Sequence, residues 1–504
     1  MASAQWGNST QARLSRTVRR LTAFVALTCG IVLVCGLTAR ADVGVVLNEA
    51  LDNGVARITA SGHSAVYLSR ICPASPVKLR LCRAGEQGSI LSNYESFDEN
   101  QVFEWNIVPL SVFVYGVPDA GNRPLFASEK IKNVLENQYQ EQVLASYCDG
   151  RCVTKKKANW RDMVGASLTR SIYIFVVRTT VQQDLDLIAK FNALPNKGHF
   201  NAFSSNCADF TRDVINTYFP HAAHRNFIND FGMTSPKAVA RSFTKYALRH
   251  PELEFHVMHF GQVPGTLKRS NNCREGTEQL YRSQKLLTPL LFFARPELPV
   301  FMATYLALGR FNPEHELEQY PSVQATQISY ELRAAQAESD PSRAVDLRAS
   351  AKQEEERVVG TSDEWNHYRE AFEPLLREGI GEEVIPRGES VNRVFKSLDA
   401  GTPVADRDGS LWLETLCDDR ICKAGLTTGN ILAPQSDPQL AYEMLLAHID
   451  GVLKSPPHSR ESMLEFKQDW ELLEEVRARA IASFAEQGIP LIPSGTARLG
   501  AQRR

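Results

Sequence analysis

No Walker loop, zinc-finger spacing or dinucleotide fingerprint occurs in the 504 residues, which disfavours roles that hold a nucleotide or nucleic acid by those devices. A charge excess of one sign is missing too. With 56 Lys and Arg against 58 Asp and Glu the formal net charge is -2, which argues against a polyanion binder and gives no nucleic-acid partner. No repeat of solenoid period is evident. Past residue 41 no uninterrupted apolar run reaches membrane length. The longest candidate, Leu286 to Phe311, is broken by Pro289, Arg295, Pro296, Glu297 and Pro299. Charge and lost backbone hydrogen bonds are both costly in hydrocarbon, so a pair of buried helices is expected there, with contact to a membrane surface as the sharper alternative.

What is present is an ordinary globular composition, 43% hydrophobic and 23% charged, long enough for about two to four domains. The N-terminus bears on compartment. Arg13, Arg16, Arg19 and Arg20 precede the apolar run Leu21 to Leu37, and Ala39-Arg40-Ala41 follows as an A-x-A site, so residues 1–41 read as a secretory signal cleaved before Asp42. An uncleaved anchor is the alternative. Export to a periplasmic or other envelope location makes close cysteine pairs candidate disulfides: Cys72/Cys82, Cys148/Cys152 and Cys417/Cys422. That pairing leaves Cys207 and Cys273 over. A bridge between those two would remove any nucleophile.

The chemistry concentrates in Asn201 through Phe210. Small and polar residues run up to Cys207, then Phe210, Val214, Thr217 and Tyr218 recur at three- and four-residue steps, predicting an amphipathic helix with Cys207 in its first turn. A helix N-terminus favours a thiolate. Its candidate base is His63, which follows Gly62 at the start of the apolar stretch Ser64 to Leu68, expected to be a strand. The bland reading is that Cys207 is a small buried hydrophobe.

The Gly62-His63-Ser64 motif, followed much later by Asn206-Cys207 opening a helix, resembles the circularly permuted papain-like enzymes of the NlpC/P60 superfamily. Within it the likeness is greatest to the bacterial envelope domain of the lipoprotein N-acyltransferase type, with lecithin retinol acyltransferase more distant. The resemblance spans about residues 42–235. It implies Cys207 as nucleophile, His63 as general base in reverse chain order to papain, and a third polar group that orients the base. Candidates for that third group are Asn93, Glu104, Asn106 and His199. Asn206 is either an oxyanion donor or a helix cap, and Tyr67, sharing strand parity with His63, lines the pocket or belongs to the core. His199 is a substrate contact or a turn residue. His221, His224 and Cys207 match no zinc spacing, so neither metal nor cofactor is expected.

The fold class expected is α+β: a permuted papain-like domain at 42–235, a helical extension at 236–312, a charged helical linker at 313–360, and a mainly helical C-terminal domain at 361–504 with a short strand pair. In the first part, Val77 to Leu81, Phe103 to Val108, Ser111 to Tyr115 and Ile172 to Val177 read as strands, and Ser128 to Leu144 and Gln182 to Ala193 as helices. The function expected is an exported thiol-dependent amidase, peptidase or acyltransferase acting on cell-wall peptide or a lipid acyl chain. The alternative is a non-catalytic envelope binding or scaffold protein whose C-terminal region holds protein partners.

Overall fold

A computed structural model describes residues 41–51, 62–93, 104–144, 163–197, 201, 205–227, 229–283, 297–321, 362–377, 394, 396, 398–406, 410–417, 420–454 and 460–486. Residues 1–40 of the signal segment expected at 1–41, the Cys148/Cys152 pair and the 322–360 part of the linker lie outside them. The class is α+β. A six-stranded sheet runs in the order β6-β5-β2-β1-β7-β8. Its strands are β1 (Ala41–Asn48), β2 (His63–Leu68), β5 (Ser89–Asn93), β6 (Trp105–Pro109), β7 (Ile172–Thr179) and β8 (His256–Phe260). The pairs β1–β2, β2–β5, β5–β6 and β7–β8 are antiparallel. A hairpin of β3 (Ile71–Ser75) and β4 (Lys78–Leu81) is inserted between β2 and β5 and tied by the Cys72–Cys82 disulfide.

The central strands read as near-continuous apolar runs because both faces of the sheet are covered. Odd positions of β1, Val43, Val45 and Leu47, join Val66, Leu91 and Phe175 in one apolar cluster. Two helices cover that face, α4 (Cys207–Tyr218) through Val214 and Ile215, and α5 (Pro236–Leu248) through Val239 and Phe243. On the opposite face Val46, Ala65, Ile90, Ile174 and Val176 share a second cluster with α1 (Leu110–Tyr115) and α2 (Glu129–Tyr139). That cluster continues into Leu411 and Leu413 of the C-terminal sheet, β9 (Thr402–Ala405), β10 (Leu411–Cys417) and β11 (Arg420–Gly425). It also takes in Leu440 and Met444 of α10 (Pro438–Lys454) and Phe466 and Val476 of α11 (Arg460–Glu486). Residues 42–504 form one compact unit, and the expected boundaries at 235, 312 and 360 fall inside it.

Several expectations are corrected. Ser111 to Tyr115 is helix, not strand: α1 buries all six of its residues, and its apolar run has no polar alternation to set a period, so burial on all sides decides for the element that closes its own hydrogen bonds. The stretch 236–312, expected to be helical, supplies the edge strand β8. In α3 (Val181–Ala193) Leu187 is buried, whereas Leu185 is 41% exposed. The helix pair expected at 286–311 is described only from 297: α7 (Glu297–Thr304) has no fully buried residue, and Val300 is 62% exposed. Among the described residues no helix is long and apolar enough to cross a membrane. Cys422, expected to bridge Cys417, is a buried free thiol opposite Thr415 in the β10–β11 ladder. The remaining helices are α6 (Gly276–Ser283), α8 (Pro313–Gln319) and α9 (Ser362–Arg377).

Candidate functional site

The sequence around residue 206 terminates a loop and starts a helix for identifiable reasons. Asn201 and Ser205 exchange backbone hydrogen bonds of 3.1 and 2.9 Å, closing the loop that delivers the chain to Asn206. Asn206 is extended, and its Oδ1 accepts from the N–H groups of Ala208 (2.8 Å) and Asp209 (2.9 Å). Its Nδ2 donates to the Thr234 carbonyl at 3.0 Å. Asp209 completes a capping box through its carboxylate. That carboxylate also takes hydrogen bonds from Thr234 (2.6 Å), Arg212 (2.7 Å) and Arg225 (3.2 Å), so its buried charge is compensated.

Four N–H groups at a helix start lack intrahelical partners. Here Ala208 and Asp209 are capped, and Phe210 bonds the Asn206 carbonyl at 3.0 Å. The N–H of Cys207 is left without an acceptor among the described residues. Asn206 therefore caps the helix with its Oδ1 and ties that end to Thr234 with its Nδ2.

Cys207 is a half-buried free thiol, not a bridge to Cys273. Burial pushes the thiol up, but the charge and hydrogen bond of His63, with hydrogen bonds from the backbone and hydroxyl of Ser64, outweigh it and hold Cys207 below its ordinary value. Thr211, one turn along α4, ties the two elements: its hydroxyl lies 2.8 Å from the Cys207 carbonyl and 3.2 Å from the Ser64 hydroxyl. Two residues separated by 144 positions thus meet at the start of β2 and the start of α4.

The imidazole is also held by a residue outside the expected set. His63 Nε2 lies 2.8 Å from Ser92 Oγ on β5, and the Ser92 hydroxyl lies 3.2 Å from the Asn93 carbonyl. Of the expected third groups, Asn93 is the next residue and Asn106 stands opposite Ser92 in the β5–β6 ladder; the Oδ1 of each is buried with no partner among the described residues. Glu104 precedes β6, its carboxyl raised by burial. His199 lies outside the described residues. Tyr67 has the expected parity with His63 but is 3% exposed in the apolar cluster with Ala65 and Ile90, so its place is the core. Burial, then the charge of Asp42, raises its phenol.

Comparison with family models, with curated proteins and with solved structures finds no match to this chain. The site therefore stands on its own geometry.

Behind the base sits the second thiol. Gly62 has φ +74°, and a Cβ there would come within 2.3 Å of Cys273 Sγ and 2.4 Å of the Asn48 carbonyl, so glycine is required by both conformation and space. Cys273 donates to that same carbonyl at 3.0 Å, and burial, followed by the charge of Glu49, pushes it up to about 12. The two thiols are shifted in opposite directions, Cys207 below its ordinary value and Cys273 above it. For metals, the single carboxylate, thiol and imidazole grouping among the described residues is Cys72, Cys82 and Glu86, where both sulfurs are spent in the disulfide and Glu86 pairs with Arg80.

Proposed function

We propose that this chain is a thiol-dependent acyl-transfer enzyme with Cys207 as nucleophile, His63 as general base and Ser92 as the group that fixes the base. The observation that carries the reading is the hydrogen-bonded Cys207–His63 pair at a helix N-terminus, with the thiol held below its ordinary value. In this mechanism His63 takes the thiol proton and the thiolate attacks an acyl carbonyl. The N–H of Cys207, which the Asn206 cap does not take up, is the donor for an oxyanion, and imidazolium returns its proton to the leaving group. The thioester then passes its acyl group to water or an amine. The substrate class is cell-wall peptide or a lipid acyl chain, in line with the resemblance to the NlpC/P60 superfamily. The basic, apolar N-terminus and the Cys72–Cys82 disulfide support an exported, envelope location, since disulfides persist outside the reducing cytosol.

Timed labelling of native protein with an iodoacetamide or activated-ester probe, read by peptide mapping, tests this. Cys207 should react well ahead of Cys273 and Cys422, and His63→Ala and Ser92→Ala should slow it. Equal labelling of the three thiols, or no effect of His63→Ala, overturns the reading. The alternative, a non-catalytic binding or scaffold protein, is favoured by one feature: Leu416 (74% exposed) and Ile421 (78%) face each other at the tip of the β10–β11 hairpin, an apolar contact open to a protein partner.

A further inference from the structure

A cavity of about 370 Å³ lies apart from the Cys207–His63 pair, within the size range of small-ligand sites. Its walls come from the segment after β1, from β7, from the chain following β8, and from α1, α8, α10 and α11. Four carboxylates line it, Glu49, Glu314, Glu465 and Asp469, against two guanidiniums, Arg123 and Arg269. Both cations are already committed. Arg123 pairs with Asp469 and reaches the Glu465 carbonyl, and Asp469 is bound a second time by His448 at 2.9 Å. Arg269 spends its N–H groups on the carbonyls of Gln262 (2.8 Å) and Gly451 (3.4 Å).

Glu49, Glu314 and Glu465 are left with no Lys or Arg ion-pair partner among the described residues. Glu49, only 9% exposed, is held by the hydroxyl of Ser270 at 2.5 Å, and Glu465 by the phenol of Tyr115. Burial raises both carboxyls; at Glu465 the charge of Arg123 is the main offset, whereas at Glu49 the charge of Glu314 adds to the rise and that of Arg269 opposes it least. The carboxylates are not gathered tightly enough to ligate one ion: no grouping of metal-ligand atoms among the described residues includes them. Part of the remaining wall is aromatic and apolar, where Tyr173 and His259 pack with ring centroids 4.6 Å apart beside Val263, Val452 and Phe466, and part is polar, from Ser171, Gln262, Ser270 and Asn272.

We infer that this cavity is a binding site for a small organic cation, an ammonium or guanidinium on an apolar stem, whose charge is taken by Glu49 and Glu314 and whose stem lies against Tyr173, His259 and Phe466. The two arginines already face carboxylates of the same wall, separated carboxylates leave no cage for a metal ion, and carboxylates beside aromatic rings suit an alkylammonium. The site is independent of the acyl-transfer reading, and its test needs no activity.

Calorimetric and thermal-shift titration of the full chain with cadaverine and with agmatine, alongside 1-pentanol and glutarate as neutral and anionic controls, decides it. Saturable binding of the two cations, with no binding of the controls, is expected. Glu49→Gln and Glu314→Gln should each weaken it by about tenfold or more, a change of ~1.4 kcal/mol, while Cys207→Ala binds as the native chain does. If Glu49→Gln fails to fold, Glu314→Gln, at a half-buried position, gives the same reading. Absence of cation binding up to about 10 mM, binding of glutarate in preference, or cation binding that survives both Gln substitutions overturns the proposal.

Discussion

Replacing Asn206 tests whether the helix start at Cys207 is built as described. Asn206→Ala removes the acceptor for the N–H groups of Ala208 and Asp209 and the donor to the Thr234 carbonyl. Loss of an N-cap side chain costs about 1 kcal/mol, and loss of a buried neutral hydrogen bond about 1 kcal/mol more. Asn206→Ala should therefore lower unfolding stability by ~2 kcal/mol, whereas Asn206→Ser keeps a capping acceptor and should lose only ~1 kcal/mol. Urea unfolding of the full chain gives both values. Because the same helix end holds the thiol, iodoacetamide labelling of Cys207 should slow in the alanine variant and be largely retained in the serine variant. The reasoning fails if Asn206→Ala unfolds at the native midpoint while thioester formation from an activated ester drops about 100-fold, the signature of a lost oxyanion donor.

Three further outcomes are expected. Arg123→Met strips the cation from Asp469, which is 2% exposed, and should cost about 3–5 kcal/mol in urea unfolding; adding Asp469→Leu should recover part of it, and an unchanged midpoint in the single variant would contradict the network. Asp184 is pushed up to about 6, first by burial, while its hydrogen bond from Tyr218 opposes the rise. A raised carboxyl favours the fold when protonated, so its contribution is present below the ordinary carboxyl value and lost as pH rises toward 6. Asp184→Asn keeps an acceptor for Tyr218 and should abolish that loss, gaining ~2 kcal/mol at neutral pH relative to the native chain, as measured by paired urea curves at acid and neutral pH. Cys72→Ser with Cys82→Ser opens a loop with a sequence separation of 10 and should cost about 2–3 kcal/mol, seen as a lower thermal midpoint.

The two ends of the dyad were legible because each carries a local mark. Small polar residues giving way to a three- and four-residue apolar repeat placed Cys207 at a helix start, and Gly62 followed by His63 and an apolar run placed the base at a strand start. Ser92 carries no such mark. It is chosen by the β2–β5 pairing, which skips the whole β3–β4 hairpin, and a serine one position before the expected Asn93 acquires its role only through that non-local register. Asn206 was legible as a residue type with two uses, and only the positions of Ala208, Asp209 and Thr234 select the cap. Ser111 to Tyr115 failed for a related reason: a short run buried on every side has no period to read. The acidic cavity had no sequence signature, since its walls are drawn from residues spread between Glu49 and Asp469.

The sharing of one apolar cluster by the N-terminal sheet and the last two helices makes the two halves of the chain energetically inseparable. Leu411, Leu413, Leu440, Met444 and Phe466 are each at most 6% exposed in that cluster, and each supplies roughly 1.5–3 kcal/mol by leaving water. Their sum rivals the whole of a domain's net stability, about 5–15 kcal/mol. A chain shortened at residue 360 would bare the part of this cluster that the N-terminal sheet contributes, so the sheet that carries His63 should melt together with the distant C-terminal helices.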